Sequence, residues 1–95
     1  MSPAVGVLIL ELHIEDAHSL KDKRNVVNSL KERLRAKFNV SVAEIDGHDT
    51  WQRSVVAVAA VSKDRPFAEQ LLQAAERESA HQLGGMLAGS AIEWL

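Results

Sequence analysis

The strongest constraint on the fold is the order in which two hydrophobic periodicities follow one another along the chain. From Ala4 to Ile14 the chain is apolar on both sides of a period-two pattern until one side turns polar at Glu11 and His13, which is typical of a strand. From Leu20 to Phe38 the apolar residues recur three or four positions apart, which is typical of an amphipathic helix. The later segments predict strand, strand, helix and strand. The sequence therefore predicts six elements in the order βαββαβ.

The boundaries of these later segments are set by turn and capping residues. Asp46-Gly47 favours a turn that opens a loop through Thr50, and Gly84-Gly85 ends the second helix. Ser19 and Asp64 are placed to cap the two helices. The predicted segments after the first helix are Val40 to Ile45 (strand), Trp51 to Ser62 (strand), Asp64 to Gly84 (helix) and Met86 to Leu95 (strand).

This order fits a ferredoxin-like βαββαβ sandwich of the α+β class, with a four-stranded antiparallel sheet and two helices on one face. Right-handed crossovers place the first and third strands at the centre of such a sheet. Those two strands are the most apolar in the sequence, as central strands should be. Because 95 residues can build one normal core but not two, we expect residues 1–95 to form a single domain.

Composition narrows the cellular setting and the chemistry. The chain has no cysteine, which excludes disulfides, thiolate zinc sites and cysteine nucleophiles, and is compatible with a reducing compartment. No basic region precedes an apolar stretch at the N-terminus, and the longest apolar run, Val55 to Val61, is too short to cross a bilayer. We therefore expect a cytoplasmic protein that does not bind membranes.

Two helices can cover only one face of the predicted sheet, yet the first strand offers apolar residues to both. If Leu8, Leu10 and Leu12 meet the helices, the other face presents Val5, Val7 and Ile9. An exposed apolar sheet surface usually marks an interface, so we predict a homodimer formed through these three residues. The alternative is a monomer in which loops or the C-terminal segment cover this face.

Charge is segregated along the chain. Seven of the eleven Lys and Arg residues lie between Lys21 and Lys37 with only two acidic residues, so this helix carries +5. The remaining residues carry four basic and eleven acidic groups, or −7, so that the net charge of −2 conceals a basic patch. Such a patch attracts anionic partners.

Helical spacing places most of these cations on one flank. Positions 21, 24, 28, 31 and 35 advance by three or four residues, whereas Lys23 points near the apolar side and is expected to reach around the helix start. The free amide groups of the first turn also favour anions. The candidate residues for RNA or anion binding are Lys21, Lys23, Arg24, Asn28, Lys31 and Arg35. A simple solvated helix face is the alternative.

No pattern predicts catalytic, cofactor-binding or metal-binding residues. The four histidines lack the spacing of a metal site, and no serine lies in a nucleophile elbow. An RNA-recognition motif needs aromatic rings on its central strands, which this chain lacks, so any contact to RNA is expected through helix and phosphates. We interpret Trp51 as a plug for the end of the core, with a recognition residue as the alternative.

Four segments resemble the YlxP-like family of bacterial proteins, whose function is unknown. They are Val5 to Leu8, Ser19 to Arg24, Phe38 to Glu44 and Trp51 to Arg53, and the resemblance extends over nearly the whole chain. It implies a ferredoxin-like fold and supplies no catalytic residues. The neighbourhood of the family's genes to those for translation and ribosome maturation implies a role linked to RNA.

Together these features predict a non-enzymatic cytoplasmic binding module without a cofactor, which docks on RNA or a ribosomal particle through its basic first helix. A protein-interaction module for an acidic protein partner is the first alternative. A regulator or enzyme that binds a small anion at the start of the helix is the second.

Overall fold

The computed structural model describes residues 2–95. Four strands and two α-helices follow one another in the predicted order, with one short 3-10 turn before the last strand. Their bounds are β1 Ala4–His13, α1 Leu20–Lys37, β2 Ser41–Asp46, β3 Arg53–Ser62, α2 Arg65–Leu83 and β4 Leu87–Trp94. The third strand begins two residues later than predicted, so Trp51 and Gln52 belong to the loop before it.

The strands form one antiparallel sheet in the order β2-β3-β1-β4. Leu8 of β1 lies opposite Val58 of β3 on one side and Ile92 of β4 on the other, which places β1 and β3 at the centre. The fold is therefore ferredoxin-like, as the sequence predicts. Strand β2, the most polar of the four, lies at the edge of the sheet.

The core fills the space between the sheet and the two helices. Leu8 and Leu10 of β1 are fully buried there, together with Leu30 of α1 and Leu72 of α2. Gly6 makes the close approach of α2 to the sheet possible, because a Cβ atom at this position would lie 2.7 Å from the side chain of Leu72. The burial of these apolar side chains is the main source of stability for a domain of this length.

The N-termini of the two helices are capped as the sequence predicts. The Ser19 hydroxyl accepts a hydrogen bond from the Asp22 amide at 3.1 Å, and the Asp64 carboxylate accepts one from the Phe67 amide at 2.8 Å. Both are N-cap bonds that satisfy amides left free at a helix start. The first cap fixes where α1 begins and therefore which of its residues face the sheet.

The second face of the sheet carries no helix. Val5, Val7 and Ile9 point to this side and are half-buried, next to the small side chains of Ala57 and Ala59 on β3. The face is thus a shallow apolar surface, located where the sequence predicts it. No helix within residues 2–95 has the length and hydropathy needed to span a lipid bilayer.

A carboxylate on α2 ties the two helices together. Glu78 accepts hydrogen bonds from Arg33 and, at 2.9 Å, from Lys37, both on α1. These bonds and the two positive charges lower the pKa of Glu78 from 4.5 to about 2. The interaction pairs two of the seven α1 cations with one carboxylate and marks the flank of α1 that faces α2.

Acid titration should report this contact. Because the folded pKa of Glu78 lies below its unfolded value, its stabilising contribution is complete above about pH 4.5 and is lost as the pH falls towards about 2. We expect Glu78→Gln to lose less stability than the wild type between about pH 5 and pH 3, measured by urea unfolding. The exposed Glu69→Gln is the control and should retain the wild-type pH dependence. Equal pH dependence in Glu78→Gln and wild type would contradict this role.

Candidate functional site

The basic residues of α1 divide between two sides of the helix. Arg33 and Lys37 face α2 through Glu78, whereas the guanidinium of Arg35 donates to the Val42 carbonyl of β2 at 2.9 Å. At about 100° per residue, positions 21, 24, 28, 31 and 35 fall within an arc of about 80° that contains Arg35. We call these five residues the basic stripe. The stripe therefore runs along the side of α1 nearest the edge strand β2.

The basic stripe keeps its charge. Lys21, Arg24, Asn28 and Arg35 are exposed and Lys31 is half-buried. Within residues 2–95, no carboxylate lies within 4.0 Å of the cationic atoms of its four basic side chains. Four positive charges therefore face solvent together over a length of about 21 Å, the rise of fourteen helical residues.

Lys23 does not belong to this surface, contrary to the sequence prediction. Its side chain is only 1% exposed, and its ammonium group points into the molecule. There it donates to the carbonyl oxygens of Gly47, His48 (3.3 Å) and Arg53 (3.4 Å), and it lies 3.1 Å from the Glu44 carboxylate. Four oxygens replace the water that the ammonium would otherwise need, so this residue fixes a loop and is not available to an anion.

Glu44 and Ser54 complete this buried group. The Glu44 carboxylate accepts a hydrogen bond from the Ser54 hydroxyl at 2.5 Å. Burial by itself raises the pKa of Glu44, but the hydrogen bonds from Ser54 and Lys23 and the nearby positive charge outweigh it, so the pKa lies below its ordinary value. The carboxylate is therefore charged at neutral pH and paired with the ammonium. We call Lys23, Glu44, Ser54 and the three carbonyl groups the lysine cage.

The lysine cage holds the loop between β2 and β3. Gly47 starts this loop with a φ of 81°, and a Cβ atom there would lie 2.7 Å from the Arg53 carbonyl oxygen, so glycine is required. On the far side, the Gln52 backbone carbonyl accepts from the Ile14 backbone amide at 2.9 Å, and the Gln52 side-chain amide donates to the Glu15 carbonyl at 3.1 Å. The loop is thus held to α1 and to the end of β1.

Trp51 stands in this loop with half of its surface in solvent. It does not close the core, contrary to our interpretation of the sequence. The reason is that the strand begins only at Arg53, so position 51 lies beyond the part of the chain whose side chains alternate between core and open face. A large apolar ring is left exposed on the loop that the lysine cage joins to the first turn of α1.

A second polar group lies at the end of the open sheet face. Glu11, His13 and Arg53 line a pocket of about 290 Å³, in which His13 lies opposite Arg53 across the two central strands. Arg53 is already paired with Asp46 at 3.4 Å, and His13 lies 3.9 Å from Glu15. Residues 2–95 contain no group of three or more His, Asp or Glu side chains arranged to hold a metal ion.

Sequence reasoning missed the residues that form the lysine cage, although a signal for them was present. Lys23 interrupts the apolar series of Leu20, Val27 and Leu30 at a position that faces the core. Glu44 lies two residues after the buried Val42, hence on the inward face of β2. A basic and an acidic residue at inward positions of adjacent elements indicate a buried ion pair.

Comparison with known proteins places the chain in a family. The family described as "Protein of unknown function (DUF503)" matches residues 5–88, and this chain belongs to it. The chain is also 46% identical over 69 residues to the "Uncharacterized protein YlxP" of Bacillus subtilis strain 168, covering 73% of this chain and 75% of that protein. The resemblance inferred from the sequence is thereby confirmed.

Solved structures confirm the fold and nothing finer. A de novo designed protein, Foldit4, matches 99% of this chain and 94% of its own at a TM-score of 0.57 and 16% identity. A Bordetella bronchiseptica protein, provisionally described as an antibiotic biosynthesis monooxygenase, matches 97% of this chain and 95% of its own, with a TM-score of 0.56 and 14% sequence identity. A dimeric ferredoxin-like protein of unknown function from Thermobifida fusca matches 96% of this chain and 90% of its own, with a TM-score of 0.50 and 18% sequence identity.

The lysine cage makes a stability prediction. Lys23→Met leaves a partly buried carboxylate and three carbonyl oxygens without their cation, so we expect a loss of roughly 3 kcal/mol in the free energy of unfolding. Adding Glu44→Gln removes the unpaired charge and should restore part of that loss, measured as the coupling energy of a double-mutant cycle in urea.

Lys21→Met, two residues away and exposed, is the matched control and should change stability by less than about 0.5 kcal/mol. If Lys23→Met were as mild as this control, the ammonium would not be holding the loop.

Proposed function

We propose that this protein is a non-enzymatic cytoplasmic module that docks on RNA, free or within a ribosomal particle, through the basic stripe. The observation that supports this proposal is that four cations on one side of α1 have no carboxylate partner within residues 2–95. The protein has acids available to neutralise them, since it carries a net charge of −2. Elsewhere on the same helix, Glu78 pairs with both Arg33 and Lys37.

The position of one of these cations makes helix stability a poor explanation for the stripe. Lys21 lies in the first turn of α1, where the helix dipole disfavours a positive charge by about 0.3–1 kcal/mol. A cation that opposes the dipole suits a surface selected for binding an anion. A row of cations along one helix also matches the repeated charge of a phosphate backbone better than it matches a single small anion.

The choice of RNA over an acidic protein partner rests on the residues of the stripe itself. Docking helices in protein interfaces are anchored by apolar or aromatic side chains at the centre of the contact. The five stripe positions are Lys, Arg and Asn only, so this flank offers charge and hydrogen-bond donors without an apolar centre. Phosphate contacts need nothing else.

We further propose that the open sheet face forms a homodimer, through Val5, Val7 and Ile9. Four strands at about 4.8 Å spacing and about eight residues in length give a face of roughly 500 Å² in projection, which its pleats and side chains enlarge towards the about 800 Å² per partner of a standard interface. Small residues such as Ala57 and Ala59 let a second sheet approach closely. A neighbour of the same fold is described as dimeric, which supports self-association. Both stripes would stay accessible, because α1 lies on the opposite side.

The basic stripe can be tested by reversing its charge. We expect Arg24→Glu with Lys31→Glu to weaken binding to a single-stranded RNA at least tenfold at low salt, because four units of charge change on one flank. Replacing one of them with a neutral residue should lower the slope of log K against log salt by about 0.7. Fluorescence anisotropy at several salt concentrations measures both.

A matched control changes the same amount of charge elsewhere. Lys63→Glu with Arg77→Glu alters two exposed cations outside α1 and should weaken binding much less. Equal losses in the two double variants would show that net charge alone drives binding and would remove the stripe from the account. Binding of an acidic polypeptide but not of RNA would favour the alternative partner.

Dimerisation can be tested independently of RNA. We expect the wild type to sediment as a dimer at high micromolar concentration and Val7→Glu to sediment as a monomer, because each partner would bury an unpaired carboxylate at the centre of the face.

Phe67→Glu is the control for this substitution, since Phe67 is an exposed apolar side chain on α2, 59% accessible and on the helix side. It should leave the dimer intact. A wild-type monomer at high micromolar concentration would contradict the proposed interface.

A further inference from the structure

Trp51 is exposed on a loop whose backbone is fixed on both sides. The lysine cage holds the carbonyl groups of Gly47, His48 and Arg53, and the Thr50 amide donates to the Gly47 carbonyl at 3.1 Å within the loop. A pocket of about 460 Å³ lies against the ring and is lined by Asp49, Thr50, Trp51 and Gln52. A half-exposed indole on a fixed backbone is costly to leave in water and loses little freedom when something stacks on it.

The loop lies at the end of α1 where the basic stripe begins. Lys23 of the first turn contacts the loop, and Lys21 and Arg24, its neighbours in sequence, are the first two cations of the stripe. The Gln52 amide also donates to the Glu15 carbonyl, just before α1. A strand whose phosphates follow the stripe would therefore run towards the loop that carries Trp51.

The polar groups beside the ring suit a base better than a phosphate. The Asp49 carboxylate, which accepts no hydrogen bond from any other group in residues 2–95, repels phosphate and accepts N–H donors. Among unpaired bases, guanine presents two adjacent N–H donors on its Watson–Crick edge, which match the two oxygens of a carboxylate. Adenine offers one donor beside an acceptor, and uracil one donor between acceptors.

We propose that the β2–β3 loop is a base-recognition site, in which Trp51 stacks on an unpaired RNA base and Asp49 selects guanine. This inference rests on the proposed function, because the basic stripe supplies the phosphate contacts. It goes further in two respects: the ligand is single-stranded RNA, and one position of it is read by sequence. A base paired within a duplex has neither its face nor its Watson–Crick edge available to this loop.

Fluorescence of Trp51 provides the direct readout. In a Trp94→Phe background Trp51 is the remaining tryptophan of the chain, and stacking should quench it on addition of an oligouridine of about twelve nucleotides with one central guanine. Trp51→Ala should weaken binding of this RNA about tenfold, and Trp51→Phe should recover most of the loss. Phe67→Ala, an exposed aromatic on α2, should have no effect.

Base selection is tested with matched RNAs. The wild type should bind the guanine-containing strand several-fold more tightly than plain oligouridine or a duplex of the same length, and Asp49→Asn should abolish the difference between the two single strands.

Failure of the inference and failure of the proposed function give different results. If Arg24→Glu with Lys31→Glu abolishes RNA binding while Trp51→Ala binds as well as wild type and no quenching occurs, the base site is wrong and the stripe stands. If the charge reversal has no effect, or no RNA binds, the proposed function fails and the base site fails with it.

Discussion

The ion pair between Lys23 and Glu44 is the constraint on which the rest of this structure depends. It joins the first turn of α1 to the edge strand β2 and to the loop that follows. Because Lys23 is fixed inward, helical geometry fixes the directions of its neighbours, and the basic stripe is turned towards solvent on the β2 side. The same ammonium organises the loop that presents Trp51. One buried charge therefore sets both parts of the candidate interface.

The molecule has two faces with different chemistry. The helix side combines a charged flank on α1 with the ion-paired contact between α1 and α2 at Glu78. The open side of the sheet is apolar at its centre, where Val7 and Ile9 lie against alanines of β3. This separation allows one surface to serve self-association and the other to serve docking, without competition between them. The centre of the open face carries aliphatic and not aromatic side chains, so it lacks the rings on which an RNA-recognition motif stacks bases.

Much of the fold could be predicted from the sequence, because periodicity and turn chemistry are local signals. The alternation in β1, the caps at Ser19 and Asp64 and the turn at Gly47 all lie where the structure has them. The candidate site was harder to predict, because it depends on contacts between segments that are distant in the sequence. Lys23 and Glu44 are 21 positions apart, and charge spacing alone assigned the lysine to the surface. Trp51 is exposed because β3 starts two residues later than the sequence predicts. Strand propensity does not define the end of a strand to within two residues.

The central claim is that α1 and its adjoining loop form the docking surface, and a residue-resolved titration tests it most directly. Backbone and indole NMR signals of the labelled protein would be followed while a single-stranded RNA is added at moderate salt. The account predicts that shifts concentrate at Lys21, Arg24, Lys31, Arg35 and the Trp51 indole, and leave the centre of the open sheet face unchanged. Shifts centred on Val5, Val7 and Ile9, or no shifts at all, would contradict it.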